Sequence, residues 1–315
     1  STAGVAAVVT RPEARRGGHA GALMRHLLVH AREQGYVVSA LYPFRGSFYA
    51  RFGYTALPVP HRVRLDVHQL APLAAAAEVV DVRLLRPELD HADAAAFLRR
   101  FQRQRHGMVL PRVDSGVASG FTAAVRRERE ITALLTYQLD AYGGRLDARH
   151  LLAEGPADRT ALLGWIARHD GQAQQAVLQL LPEQRPELWL PDLSVRYETR
   201  ATYPDHPPPM TRILNVEALD GLQVGVGGVR LRVRDELLPD NDGCYGCHAD
   251  EGRLVVTRGG DPQATVHVAG LTALVYGVTA PADLVQRGLL EADDATQRCL
   301  TALFPPLSPH TYLRF

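Results

Sequence analysis

The sequence predicts a mixed α+β protein of two or three domains, and three features of its 315 residues carry that expectation. A strand, a glycine-rich turn, an amphipathic helix and a second strand succeed one another between Val5 and Tyr42. The same order of elements returns between Val79 and Leu181. After the Pro-rich stretch Tyr203–Met210 the pattern becomes short alternating strands and then helices, the order of an α+β domain. A chain of this length is also long for one hydrophobic core.

Composition narrows the class of partner. Apolar residues make up 46% and charged residues 22%, ordinary values for a globular protein. With 35 basic and 34 acidic side chains the net charge is +1, which argues against nucleic acid or an anionic membrane as the main partner. No run of about 18 apolar residues is available to span a bilayer. No signal-like segment is evident either, so the cytoplasm is the expected compartment. Three cysteines, Cys244, Cys247 and Cys299, are too few for a disulfide framework.

Taken in order, an apolar strand runs through Val5 to Thr10 and stops at Pro12. The turn Arg15-Arg-Gly-Gly-His-Ala20 then opens a helix at Gly18. Main-chain N–H groups without intrahelical partners converge at such a turn, and the helix dipole adds partial positive charge. Gly17 and Gly18 allow close approach while Arg15 and Arg16 supply counter-charge, so the turn reads as a cradle for a phosphorylated ligand. The same features also describe an ordinary strand-to-helix connection. The helix, Gly18 to Gln34, places Ala20, Leu23, Met24, Leu27 and Ala31 on one face, with Gly35 as its stop. A strand at Tyr36–Tyr42 completes one right-handed βαβ crossover. Next come a short helix within Phe44–Tyr54, stopped by Gly53, and a strand at His61–Val67. Core packing is the plain reading of Phe48 and Phe52.

Two motifs in this stretch carry a resemblance. Arg15 to Ala20 fits the R-x-x-G-x-[GA] pattern of the GCN5-related N-acetyltransferases (GNAT), and Phe48-Tyr-Ala-Arg-Phe-Gly-Tyr54 fits their F-Y-x-[RK]-F-G-[YF] ending. Together with the length, these residues resemble the enhanced intracellular survival (Eis) family. The resemblance implies acetyl-CoA as cosubstrate, bound through Val8, Thr10, Arg15, Arg16, Gly17, Gly18, His19 and Ala20, with His19 contributing through its backbone. It implies main-chain N–H groups around Val8–Thr10 for the thioester oxygen, Tyr49 as general acid toward the coenzyme sulfur, and the C-terminal carboxylate of Phe315 as base. A phenol with a reference pKa of about 10 is protonated at neutral pH, and burial would raise the otherwise feeble basicity of a terminal carboxylate. A central parallel strand needs neighbours on both edges and the sequence places none before this one, so the first domain is expected to lack its N-terminal part.

Leu70–Ala77 reads as an Ala-rich connection, Val79–Leu85 as a strand and Leu89–Gln104 as a helix. Strands at Ile131–Leu139 and Arg145–Ala153, a helix at Asp158–His169 and a strand at Ala176–Leu181 make a second GNAT-like domain. Its turn Ala153–Thr160 carries Glu154 and Asp158 where a pyrophosphate would sit; acid there repels phosphate and is expected to cap the helix. The domain is therefore expected to be structural. Beyond the linker, strands at Arg212–Val216, Gly228–Arg234, Gly243–His248, Arg253–Arg258 and Ala264–Val268 precede helices at Gly270–Tyr276, Pro281–Arg287 and Asp293–Phe304. This part resembles the sterol-carrier-like domain that closes Eis proteins. The expected domains are residues 1–66, 67–204 and 205–315.

Several smaller features have plain readings. Cys244-Tyr-Gly-Cys-His248 matches the haem c attachment pattern, but it falls in a predicted hairpin, and one CxxC pair with a remote Cys299 does not make a zinc site. Neither haem nor a metal is expected, and both cysteines are read as half-buried strand positions. Arg126–Glu130 reads as a solvated face, and Trp165 and Trp189 as core or pocket wall. The resemblance implies an acetyl-CoA-dependent N-acetyltransferase acting on multi-amine small molecules such as aminoglycosides or on lysine-like amines, assembled as a homohexamer. The alternative is a lipid- or sterol-binding or assembly protein with a vestigial acetyltransferase fold.

Overall fold

The computed structural model describes residues 1–105, 107, 120–140 and 144–309. Packing divides these into two units, one formed by Ser1–Pro58 with Ala201–Pro309 and the other by Val59–Arg200.

The first unit opens with β1 (Thr2–Val5), α1 (His19–Glu33) and β2 (Val38–Leu41), and β1 pairs in parallel with β2 as a βαβ unit requires. The first strand is shorter than expected. It leaves the sheet at Val5, and Ala7 adopts a positive φ of 55°, so the apolar residues up to Thr10 run outside any strand. Along α1, Met24 and Leu28 are the fully buried residues, an i, i+4 pair worth about 1.5–3 kcal/mol each. Leu23, expected on that face, is exposed because at 100° per residue it falls about 120° from the centre of the buried pair. The short α2 (Gly46–Ala50) and the two-residue β3 (Thr55–Ala56) follow.

The second unit contains β4 (His61–Asp66), a 3-10 segment at Val67–Leu73, α3 (Ala76–Val79), β5 (Val82–Leu84), α4 (Pro87–Arg103), β6 (Phe121–Arg127), β7 (Glu130–Leu139), β8 (Gly144–Ala153), α5 (Pro156–Ala167), β9 (Ala173–Leu180) and β10 (Arg196–Tyr197). Its sheet runs β10-β4-β9-β8-β7-β6-β5, with β8 and β9 parallel across α5 and the other neighbours antiparallel. Phe97, Phe101, Leu134 and Leu152 form a core on one face, while Leu65, Leu70, Leu135, Leu162 and Leu178 belong to another. This is the strand–helix–strand layering the repeated element order predicts. The Ala-rich connection is helical in Val67–Leu73 and Ala76–Val79, and β6 was not anticipated.

The acids of its strand-to-helix turn do not cap α5. The N-cap is Gly155, without a side-chain hydrogen bond. Asp158 is buried and accepts from Arg127 Nε at 2.7 Å, and Glu154 accepts from Arg100 Nε at 2.7 Å. The stretch Arg126–Glu130 is the tip of the β6–β7 hairpin; Arg127–Glu130 are exposed, as a solvated face requires, while the half-buried Arg126 is held by Asp90 and Asp93 at 2.7 Å each. Trp165 packs on the core and donates from Nε1 to the Tyr137 hydroxyl at 3.1 Å. Trp189 packs on the same core under the Arg159 guanidinium.

Returning to the first unit, β11 (Met210–Ile213) does not open a separate sheet. It pairs antiparallel with both β2 and β3, giving the order β1-β2-β11-β3. All four of its residues are buried, so both faces of this strand are covered. After it come β12 (Gly228–Arg234), β13 (Gly243–Asp250), β14 (Arg253–Arg258), β15 (Ala264–His267), α6 (Val268–Val275), α7 (Pro281–Gln286), β16 (Leu290–Glu291) and α8 (Asp294–Leu303). The second sheet of this unit runs β14-β13-β12-β15-β16, with β12 and β15 parallel. Every residue of α6 is buried, as a helix apolar on all sides must be. One core joins α6 and α8 to β12, β13 and Ile213, and Thr272 Oγ1 of α6 accepts from the Ile213 N–H at 3.2 Å. Asp293 caps α8 by accepting from the Thr296 N–H at 2.7 Å.

Strand alternation separates the two cysteines of the CxxCH stretch, which are three apart on β13. Cys247 and Tyr245 are buried in the core, while Cys244 is half-buried and His248 exposed on the other face. Burial pushes the Cys247 thiol up to about 11, whereas Cys299 is exposed. An alkylating reagent at about pH 8 should therefore label Cys299 first and Cys247 only once denaturant opens the core, as peptide mass mapping would show.

Candidate active site

The turn after β1 has the build of an anion site. Pro12–Ala14 forms one 3-10 turn, closed by the Ala14 N–H on the Arg11 carbonyl at 3.0 Å. Arg16 and Gly18 both take positive φ, 66° and 77°, and swing the backbone into α1 with Gly18 at the N-cap. Glycine suits that position because a side chain there carries a steric cost. Among the described residues the N–H groups of Gly17 through Gly21 have no hydrogen-bond partner; the first intrahelical bond is from the Ala22 N–H to the Gly18 carbonyl at 3.0 Å. Arg15, Arg16 and His19 are exposed beside them. The His19 ring folds back over Gly17, so a Cβ at residue 17 would come within 2.7 Å of His19 Nε2. Unpaired N–H groups, two guanidinium groups and the helix dipole make this turn fit a pyrophosphate.

Val8 and Thr10 lie in the extended stretch that has left the sheet. Both are half-buried, neither N–H has a partner among the described residues, and the intervening Val9 is exposed. A segment peeling from β2 in this way presents donors that a continuous strand would have consumed in its ladder.

Tyr49 sits on α2 and is 4% exposed. Its ring meets Phe44, Phe48 and Tyr54 edge to face, with centroids 5.7, 4.9 and 6.1 Å away. One core cluster contains Tyr49, Phe52, Tyr54, Met24 and Leu28, with Val5 and Val8 packed against it. The acid candidate, the helix that opens at the anion turn and the segment leaving β1 are thus held by shared packing. Burial raises the Tyr49 phenol above its ordinary pKa, keeping it protonated. Phe52 is buried as expected and Phe48 half-buried. Phe315 lies outside the described residues.

Two polar residues beside Tyr49 escaped the sequence reading. Ser39 on β2 and Tyr54 are both buried, and their hydroxyls are 2.7 Å apart. Burial raises Tyr54 to about 12 despite the Ser39 hydrogen bond and the nearby Arg212 charge, which lower it. A serine in the buried strand Val38–Leu41 and the last tyrosine of the Phe-Gly-Tyr ending were the available signals.

Comparison with known proteins bears on the family and the fold. Residues 1–57 match the acetyltransferase (GNAT) domain model and residues 216–312 the sterol carrier protein domain model. The chain is 33% identical over 142 residues to the N-acetyltransferase Eis of Mycobacterium tuberculosis and of Mycobacterium bovis, a match that spans 42% of this chain and 35% of those relatives. Among solved structures, a GCN5-related N-acetyltransferase from Anabaena variabilis covers the whole chain with a TM-score of 0.86 at 20% identity, using 82% of its own length. One from Kribbella flavida gives 0.81 at 24% identity over the whole chain and 79% of its own, and Eis1 from Mycobacterium abscessus 0.74 at 20% over the whole chain and 82% of its own. At these identities the structural likeness bears on the fold. Among the described residues no helix is long and apolar enough to cross a membrane.

Proposed function

We propose, from the premise that this chain is an Eis-like member of the GNAT family, that it is an acetyl-CoA-dependent N-acetyltransferase. The observation that carries the reading is the common core joining Tyr49, α1 and Val8, with the unpaired donors of the Gly17–Gly21 turn at the start of that helix. The turn from Arg15 to Ala20 would hold the coenzyme's pyrophosphate, and the Val8 and Thr10 main chain its pantetheine arm. Acetyl-CoA supplies an activated acetyl group. The chain has then to hold the thioester oxygen as charge grows on it, deliver a proton to the departing sulfur and accept one from the ammonium. Main-chain N–H groups around Val8–Thr10 serve the first need. Tyr49, neutral and buried, serves the second, and the carboxylate of Phe315 the third.

Multi-amine small molecules such as aminoglycosides, or lysine-like amines, are the substrate class proposed, with a homohexamer in the cytoplasm as the working form. The test is thiol release from acetyl-CoA by the full chain with a panel of such amines. Release that depends on the amine supports the reading; none with any amine removes it. Deleting Phe315 should lower kcat on the order of ten-fold or more while acetyl-CoA binding, followed by calorimetry, is retained. A second reading, a lipid- or sterol-binding protein or an assembly subunit with a vestigial acetyltransferase fold, draws on the sterol carrier match over residues 216–312. The fully buried α6 in the core of that region weighs against it, since its side chains fill space a ligand would need. Saturable binding of a fluorescent sterol by a chain silent in the thiol assay would favour it.

A further inference from the structure

The first unit contains a buried ion pair that the acetyl-transfer steps do not use. Arg212 on β11 and Asp235, just beyond β12, are 1% and 2% exposed. Arg212 Nη2 donates to both carboxylate oxygens of Asp235 at 2.6 Å. Its other terminal nitrogen, Nη1, donates to the Phe52 carbonyl. Asp235 is saturated by further donors: the N–H groups of Leu237 and Leu238 at 3.1 and 3.0 Å and Asn241 Nδ2 at 3.0 Å. Asn241 in turn accepts at Oδ1 from Arg32 of α1 at 2.6 Å.

The direction of these bonds matters. Phe52 follows α2, and its N–H donates to the Tyr49 carbonyl at 2.9 Å, so the turn that Arg212 grips is bonded back to the acid candidate. The next residue, Gly53, has a φ of 81°, and a Cβ there would lie 2.7 Å from Val268 Cγ1 and 3.1 Å from Arg212 Nη1. The turn is therefore seated on α6 and on the guanidinium without slack. Two desolvated charges are an expensive way to fill a core that apolar side chains could fill as well. What this pair adds is a fixed donor for one backbone carbonyl, three residues after Tyr49.

We propose that Arg212, held by Asp235, is a positioning residue for Tyr49, through which the sterol-carrier-like region sets the geometry of proton donation. The proposal rests on the acetyl-transfer reading above. Its test compares kcat and KM of the full chain with Arg212→Met/Asp235→Leu, Arg212→Lys, Tyr49→Phe and the combined triple variant, each first checked for cooperative unfolding. The apolar pair should keep the KM for acetyl-CoA and lose kcat on the order of ten-fold or more, because the donor to Phe52 is gone. Arg212→Lys keeps the charge beside Asp235 with a single nitrogen and should recover the fold but only part of kcat; it carries the test if the apolar pair does not fold. Adding the apolar pair to Tyr49→Phe should cost no more than about two-fold further, since both act through one group.

Unchanged kcat in a folded Arg212 variant, or a Tyr49→Phe loss that multiplies in full, would overturn the proposal. If Tyr49→Phe alone leaves kcat intact, the acid assignment fails and this proposal with it. If Tyr49→Phe is slow and the Arg212 variants are fast, the acid assignment stands and only the positioning role is lost.

Discussion

Tyr49→Phe is expected to lower kcat by roughly 100-fold, the lower end of what a positioned proton donor contributes, and to leave the protein folded. The ring stays, and with it the edge-to-face contacts with Phe44, Phe48 and Tyr54. What goes is one hydroxyl proton whose transfer to sulfur would no longer be available. KM for acetyl-CoA should hold, because the proposed coenzyme contacts lie at the turn from Arg15 to Ala20. The pH profile supplies a second readout. A group with a raised pKa keeps its proton to higher pH, so the alkaline limb of kcat should fall above the ordinary tyrosine value of about 10 and vanish in Tyr49→Phe. Steady-state kinetics across pH checks both; equal rates for the two proteins would remove Tyr49 from the mechanism.

Arg212→Ala is expected to destabilise the fold by about 3–5 kcal/mol, the cost of stranding a buried charge. Asp235 would lose its guanidinium while still buried, and the Phe52 carbonyl would lose its donor. Arg212→Met/Asp235→Leu removes both charges at similar volume and should cost less than the single variant, the remaining loss being the unpaired Phe52 carbonyl and the Leu237 and Leu238 N–H groups. Urea denaturation measures both. If the single and double variants are equally unstable, packing volume rather than charge pairing governs the site.

How much of this was legible in the sequence depends on the range of the interaction. The Arg15–Ala20 turn, α1 and the Phe48–Tyr54 ending were readable because each is set by neighbours within a few residues, through helix periodicity, capping and glycine's backbone freedom. Strands Gly228–Arg234 and Arg253–Arg258 were placed at their observed limits for the same reason. The strand at Val5–Thr10 was overextended because apolar residues predict a strand whether or not a partner exists, and here the chain departs from β2 after Val5. Partners remote in sequence were not legible at all. Nothing near Met210–Ile213 announces pairing with Val38–Leu41, some 170 residues earlier along the chain by the separation of Thr211 and Ser39. Likewise Asp158 reads in sequence as a helix cap, and only the fold brings Arg127 beside it. Ser39, Tyr54 and Arg212 matter to the site through contacts that only the fold brings about.

The central claim, acetyl transfer at the site built on Tyr49 and the Arg15–Ala20 turn, is tested most directly by thiol release from acetyl-CoA by the full chain and its Tyr49→Phe variant, with and without a multi-amine acceptor. Amine-dependent release that falls roughly 100-fold in the variant is the predicted result. Absence of release with every amine, or release that is the same in both proteins, would contradict it.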